Sequence, residues 1–258
     1  MIKLKSKKEI ELMRTAGQVT GAVLYELKDI VKPGVSTKEI NDYIEDRVRG
    51  EGMYPTFLGY QDFPASACIS VNDEVVHGIP SLKTILRDGD IVSIDMGSTY
   101  QGWVSDAART FAVGLISDEA QRLIDVTRQS FYEAVKVCRK GFKLGDIGNA
   151  VQTYVEAHGY SVVRDLVGHG VGKEMHEDPK VPNYGKAGKG PKLLPGMVLA
   201  IEPMVNVGHH DVIWPEHDED WVFFTSDGSL SAHYENTVVI TDDEPIIITI
   251  DDRDKDRG

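Results

Sequence analysis

The sequence predicts an α+β fold of two related halves, each built as helix, helix and sheet. Three observations carry this. Two amphipathic stretches precede a set of short β-rich runs. The same order then begins again. The two stretches also overlay with one gap-free offset of 107 residues, which puts Gly34 on Gly141, Ile40 on Ile147, Gly89 on Gly196 and Asp95 on Glu202. In a chain of 258 residues this predicts a single domain with pseudo-twofold halves at about 1–115 and 116–250. Residues 251–258, "DDRDKDRG", predict an acidic, solvated tail.

Each element has its own signal. Ser6 and Glu9 stand in capping-box spacing before apolar residues at Ile10, Met13, Val19, Val23, Leu24, Leu27 and Ile30, and Pro33 with Gly34 stops that helix. Ser36 and Glu39 open a second helix that ends at Gly50. Short β-like runs follow: "SACISV", "DIVSIDMG" and "GWVSDAARTFAV". The second half supplies a long amphipathic helix, "SDEAQRLIDVTRQSFYEAVKVCRKG", and a shorter one, "LGDIGNAVQTYVEAHGY". The strand-like runs "VVRDLVGHG", "GMVLAIEPMV", "WVFFT" and "HYENTVVIT" come after them.

Composition narrows the function. The hydrophobic share of 41% and charged share of 27% are ordinary for a globular protein. A net charge of −13 with no large basic block argues against sequence-specific nucleic-acid binding. Two cysteines without a CxxC predict a reducing, cytoplasmic setting. No run approaches the ~18 apolar residues of a membrane span, and no apolar signal segment opens the chain. A cytoplasmic, mature monomer is the expectation.

The hairpin "DIVSIDMGSTYQGWVSDAARTF" carries Asp95 and Asp106 among apolar and small residues. Facing them directly centres the turn between Tyr100 and Gln101, although Tyr-Gln is a poor two-residue loop. Opposed carboxylates repel, so the pair is shared by a proton, separated by a cation, or simply solvated. The second half adds His169 between glycines in "VGHGVG", Glu202 in the apolar "LAIEP", and Glu235 at the start of "ENTVVIT". Glu235 is the expected counterpart of Asp106, with roughly 22 extra residues before it. Asp95, Asp106, His169, Glu202 and Glu235 together form a candidate metal site. Four carboxylates carry −4 and neutral His169 adds nothing, which two divalent cations balance and one does not. Carboxylate and imidazole donors without thiolate favour Mn, Fe, Co, Zn or Ni in a hydrolytic centre over a structural zinc site.

At these residues the sequence resembles the type I methionine aminopeptidases of peptidase family M24, which have the pita-bread fold. The likeness covers essentially the whole chain. It rests on "HGIP" at His77–Pro80, "DIVSIDMGSTYQGWVSDAART", "GHGVGKEMHEDP", "LLPGMVLAIEPM" and "LSAHYENTVVIT", in the family's order and spacing. The chain begins close to the catalytic domain and has no large helical insertion, as in bacterial members.

The resemblance implies that Asp95 chelates one metal, that Asp106 and Glu235 bridge two, and that His169 and Glu202 complete the other site. It implies Glu202 as proton shuttle, His176 as the histidine beside the substrate carbonyl, and His77 as the histidine near the leaving nitrogen. It also implies removal of N-terminal methionine from nascent chains when the second residue is small, with transient ribosome contact. Tyr60, Phe63, Cys68 and Trp221 are the expected walls of the methionine pocket. Phe57, Phe63 and Met175 stand where other members commonly have cysteine, tyrosine and phenylalanine, all at the pocket or its rim. Proline-directed peptidases of the same fold and a non-catalytic peptide-binding module are the alternatives. The first usually carries a further N-terminal domain, and the second typically loses ligands that are all present here.

Overall fold

The structure is a computed structural model that describes residues 1–217 and 220–254. Each helix starts where the sequence caps it. Ser6 Oγ accepts from the Glu9 N–H while the Glu9 carboxylate accepts from the Ser6 N–H at 2.7 Å, opening α1 (Lys7–Glu26). Ser36 and Glu39 repeat this for α2 (Thr37–Gly50). These reciprocal bonds satisfy donors that a helix start otherwise leaves unpaired. Beyond Glu26 the first helix tightens into a 3-10 turn, Leu27–Asp29, before Pro33 is reached. Ser117 caps α3 (Asp118–Val135), and α4 (Leu144–Ala157) opens with the Asp146 carboxylate accepting from the Lys143 N–H.

The acidic hairpin corrects the expected register. Ile91–Tyr100 pairs with Trp103–Ala112 so that Tyr100 faces Trp103 and the loop is Gln101-Gly102. Both loop residues have left-handed φ, 49° and 79°, as a type I′ turn requires. A loop centred one residue earlier would force Tyr100 into that conformation instead of Gly102. Asp95 therefore faces Ala108, and Asp106 faces Gly97. The two carboxylates lie diagonally on one face of the sheet, about 7–8 Å apart at Cα, which relieves the direct opposition expected from sequence.

Three predicted strands are interrupted. "VVRDLVGHG" resolves into Ser161–Val162 and Gly168–Gly170. "GMVLAIEPMV" becomes Val198–Ile201 and Met204–Asn206, broken at Glu202 and at Pro203, which has no N–H for a ladder. "HYENTVVIT" becomes Ser231–His233 and Asn236–Val239, broken at Tyr234 and Glu235. Both glutamates thus sit where the chain leaves a strand.

The offset of 107 recurs in the backbone. The bridge between Ser36 and Ile85 returns as Lys143 with Lys192. The Leu86 N–H bond to the Val35 carbonyl returns as Leu193 to Phe142. Past the hairpin turn the spacing changes. Ile94 pairs with Arg109, and Ile201 with Asn236, so the offset has grown to 127, an insertion of 20 residues. Likewise Gly97 pairs with Asp106, and Met204 with His233. The counterpart of Asp106 is therefore His233, not Glu235, whose counterpart is Ala108.

This register places the pseudo-twofold axis. Ala108 and Glu235, counterparts of each other, exchange backbone hydrogen bonds of 3.3 and 3.0 Å. On one side, Thr237 Oγ1 accepts from the Asp106 N–H at 2.9 Å and donates to the Asp106 carbonyl at 2.8 Å. On the other, its counterpart Thr110 does the same to His233, both bonds at 2.9 Å. Each hydroxyl satisfies both backbone groups of the residue it holds.

Helices cover the sheets. Thr20 of α1 hydrogen-bonds Ser98 and Ser105 of the acidic hairpin at 2.9 Å. Leu24, Ile40, Ile44, Ile94 and Met96 form one core beneath α1 and α2, and Leu123, Phe131, Ile147 and Val151 another beneath α3 and α4. Each such side chain contributes about 1.5–3 kcal/mol on burial. The expected solvated tail also differs in its described part. Asp254 pairs with Lys28, while Arg253 reaches Glu26 and lies over the Tyr25 ring, so residues 251–254 pack on the end of α1. Residues 255–258 lie outside the described residues. No described helix is long and apolar enough to cross a membrane.

Candidate active site

One cavity of about 170 Å³ lies beside the axis. It is lined by Asp95, Asp106, His169, Glu202 and Glu235, by His77 and His176, and by Phe57, Tyr60, Phe63, Cys68, Met175 and Trp221. Every site residue chosen from the sequence thus borders the same space.

The acidic cluster is buried and under-bonded. Ligand atoms of Asp106, His169 and Glu235 lie within 4.8 Å of one another. His169 Nε2 is 3.7 Å from Asp106 Oδ2 and 3.6 Å from Glu202 Oε1, beyond hydrogen-bonding range. Asp95 Oδ1, Asp106 Oδ1 and Glu235 Oε1 are buried without a protein partner. Such orphaned acceptors are costly unless something positive sits among them. Burial, then the neighbouring carboxylates, drives the Asp95, Glu202 and Glu235 carboxyls well above the usual range, and burial raises Asp106 to about 7. A bound cation relieves that energy. The donor set fits divalent metal ions.

His169 is prepared as a ligand. Burial pulls its pKa down to about 3, so the ring is neutral. Its Nδ1 donates to the Gly170 carbonyl at 3.0 Å, which leaves the Nε2 lone pair facing Asp106 and Glu202. The flanking glycines are required by close approach. A Cβ on Gly168 would meet the Ala200 carbonyl oxygen at 2.3 Å, and one on Gly170 the Asp178 carbonyl oxygen at 2.3 Å.

The other two histidines chosen from the sequence, His77 and His176, border the same cavity. His77 holds a left-handed φ of 62°, a strained conformation outside glycine. Its ring meets Phe223 edge-on at 5.6 Å, and burial lowers its pKa to about 4. His176 lies 4.2 Å from the His169 ring, centroid to centroid, and its Nδ1 is 2.7 Å from the Tyr60 hydroxyl. Apolar walls close the cavity beyond them. Phe63 and Trp221 meet edge-to-face at 5.2 Å, packed with Phe57, Cys68 and Met175. Burial raises the Cys68 thiol, so it is an apolar wall rather than a nucleophile.

Sequence reasoning missed Leu166, Met204 and His233, which line the same cavity. His233 is 2% exposed, and its Nε2 is 4.0 Å from Glu202 Oε2 and 3.8 Å from Glu235 Oε2. The signal was available: allowing 20 rather than roughly 22 inserted residues lands His233 on Asp106.

Comparison with known proteins agrees with this centre. Residues 11–242 match the model of metallopeptidase family M24. The chain is 53% identical to the methionine aminopeptidase of Clostridium acetobutylicum over 97% of its length and 99% of the relative's. It is 47% identical to methionine aminopeptidase 1 of Bacillus subtilis, covering 94% of this chain and 96% of that one. The crystal structure of the methionine aminopeptidase from Rickettsia prowazekii superposes with a TM-score of 0.94 at 42% identity, covering 97% of this chain and 100% of that chain. The prolidase from Pyrococcus horikoshii shares the fold, with a TM-score of 0.76 at 22% identity, but only 64% of its chain is covered. A buried carboxylate–imidazole cluster beside an apolar-walled pocket, with these relatives along almost the whole length, makes the chain a member of metallopeptidase family M24 and, within it, of the methionine aminopeptidases.

Proposed function

We propose that the protein removes N-terminal methionine from peptides and nascent chains whose second residue is small, with Asp95, Asp106, His169, Glu202 and Glu235 holding two divalent ions. The observation that carries this reading is the placement of a closed apolar pocket against a buried cluster of four carboxylates. When bound, two such ions supply Lewis acidity that polarises a peptide carbonyl and lets water attack near neutral pH.

The chain's own residues do the rest. Phe57, Phe63, Cys68, Met175 and Trp221 take the unbranched methionine side chain and exclude water around it. Met175 is bendable, which lets the rim adapt to the thioether. The chain's net charge of −13 favours the approach of the substrate's α-ammonium group. Tyr60 fixes His176 so that its free ring nitrogen donates to the oxygen of the tetrahedral intermediate. Glu202 takes the proton from the attacking water and returns it to the leaving amine. His77 stands near that amine and the second residue, where its limited space disfavours large side chains.

The test is hydrolysis of Met-Ala-Ser, Met-Lys-Ser and Ala-Pro-Ala by metal-stripped protein, with Co, Mn, Fe, Zn or Ni added back. Metal-dependent release of methionine from Met-Ala-Ser alone is expected. Cleavage before proline moves the reading to the proline-directed enzymes, and silence with every metal leaves a peptide-binding module.

A further inference from the structure

We propose that His233 is a positioning residue of this centre, and that its Nε2–H holds the Glu202 and Glu235 carboxylates in their ligating orientation. The inference rests on the ligand assignment above but concerns a residue outside it.

Symmetry places His233 at the same station as Asp106. Both residues occupy equivalent positions in their hairpins, facing Met204 and Gly97 respectively. Both have their backbone N–H and C=O held by a threonine hydroxyl from across the axis, Thr110 for His233 and Thr237 for Asp106. The fold therefore fixes His233 as firmly as a residue assigned to bridge two ions.

Its side chain has no other occupation. The ring is 2% exposed, and Nε2 is buried without a hydrogen-bond partner. A buried polar atom with nothing to bond is costly, so its presence here asks for a role. Nε2 faces Glu202 Oε2 at 4.0 Å and Glu235 Oε2 at 3.8 Å, longer than a hydrogen bond but within reach of a small rotation of either carboxylate. His169 has its proton fixed on Nδ1 by the Gly170 carbonyl, whereas among the described residues no such bond holds the His233 proton on Nδ1, so His233 Nε2 can carry it and donate to the carboxylates it faces. Asp95, Asp106, His169, Glu202 and Glu235 are the proposed ligands, and His233 stands behind two of them, contacting the carboxylates rather than the ions. Donors behind metal-bound carboxylates set their orientation, and losing one typically weakens metal binding or activity by 10–100-fold.

The test compares His233→Gln, which keeps an N–H donor, with His233→Leu, which removes it, in the full chain. Co(II) is titrated calorimetrically into metal-stripped protein, kcat and KM are measured on Met-Ala-Ser, and imidazoles per cobalt are counted by X-ray absorption. For His233→Leu, Co(II) affinity and kcat are expected to fall about 10–100-fold. KM should change less than about threefold, and the metal-free protein should melt no lower than wild type, because only an unpartnered polar atom is lost. His233→Gln is expected within about threefold of wild type on all measures, since an amide N–H replaces the imidazole donor. Should His233→Leu fail to fold, His233→Asn makes the same comparison, because its amide is polar but too short to reach either carboxylate. Unchanged Co(II) affinity and kcat in the donor-less variant would overturn the proposal. So would a second imidazole in the wild-type cobalt shell, which would make His233 a ligand. Wild-type protein that takes up no divalent ion would overturn the ligand assignment itself, and His233's role with it.

Discussion

The hydroxyl of Tyr60 lies 2.7 Å from Nδ1 of His176. Gln61 Nε2 donates to the same hydroxyl at 3.5 Å, so the phenol O–H is free to point at the imidazole. That bond leaves the proton of neutral His176 on Nε2, the tautomer needed to donate to a developing oxyanion. Tyr60→Phe removes the lock while keeping the apolar wall. The expected result is a kcat about 5–30-fold lower, the scale of one lost hydrogen bond to a working group, with KM nearly unchanged. A large rise in KM with kcat intact would make Tyr60 a pocket wall only.

Tyr60 also marks how far the sequence could be read. Its aromatic character suggested a wall; its bond to His176, 116 residues away, depends on a tertiary contact that no local pattern carries. Helix starts were legible because caps are local: Ser6 with Glu9 and Ser36 with Glu39 each act within one turn. The acidic cluster was legible because carboxylates stand out against apolar runs. Register was the weak point. One residue of slip at Gln101-Gly102 moved Asp95 from facing Asp106 to facing Ala108, and a miscount of the insertion hid His233.

Asp106→Asn tests the centre directly. Asp106 Oδ1 has no protein partner and Oδ2 approaches His169, while the backbone is held by Thr237 whatever the side chain. Loss of one charge from the proposed bridging position should abolish turnover and lower the bound metal below the wild-type content, as measured by elemental analysis alongside Met-Ala-Ser hydrolysis. Metal-free Asp106→Asn protein should melt at or above the wild-type temperature. A rate near wild type would show the bridge to be misassigned.

The metal-free protein should lose stability as pH rises. Burial raises Asp106 to about 7 and puts Asp95, Glu202 and Glu235 well above the ordinary range, whereas unfolded carboxylates titrate near 4. Folded protein therefore binds more protons, and stability falls as pH passes through the folded values. Buried His77, His169 and His233, with pKa lowered to about 4, 3 and 3, act in the opposite sense, but only below the ordinary histidine pKa. The carboxylate trend is thus read cleanly between about pH 6.5 and 8. Calorimetry should find the metal-free melting temperature dropping across that window and Mn(II)-saturated protein nearly flat, with protons released on binding. Parallel profiles and no proton release would remove the cations from among these groups.

His77 holds a left-handed backbone, φ 62°, beside the proposed centre. Asparagine, whose short polar side chain bonds locally, enters that region readily. His77→Asn is expected to leave stability unchanged or raise it by up to about 1 kcal/mol while lowering kcat/KM about 100-fold. Unfolding melts and peptide kinetics on one preparation decide it. Equal losses of stability and activity would mean the ring supports the fold rather than the reaction.

The loop that presents Met175 and His176 is tied down from the far end of the chain. Lys5 Nζ meets Glu177 Oε2 at 2.8 Å, both side chains at most 5% exposed. The other carboxylate oxygen accepts from the Lys173 N–H at 3.2 Å and the Glu174 N–H at 3.5 Å, and the Lys5 N–H donates to the Gly196 carbonyl at 2.7 Å. One carboxylate thus organises the turn immediately before His176, and the buried Lys5 ammonium compensates its charge, with the exposed Lys3 Nζ at 3.7 Å as a second, weaker partner. Lys5→Met leaves only Lys3 beside Glu177 and should cost up to about 3 kcal/mol, less than the full penalty for stranding one half of a buried pair. Adding Glu177→Gln to Lys5→Met removes the stranded charge and should restore most of that stability, because the pair as a whole contributes far less than either half costs when left alone. Activity should not return with it: the amide is a weaker acceptor for the two loop N–H groups, so His176 stays less well placed and kcat remains about tenfold low. Chemical denaturation of the single and double variants beside wild type, with Met-Ala-Ser kinetics on each, separates the two effects. Full recovery of kcat in the double variant would mean the pair serves stability alone, with no part in placing His176.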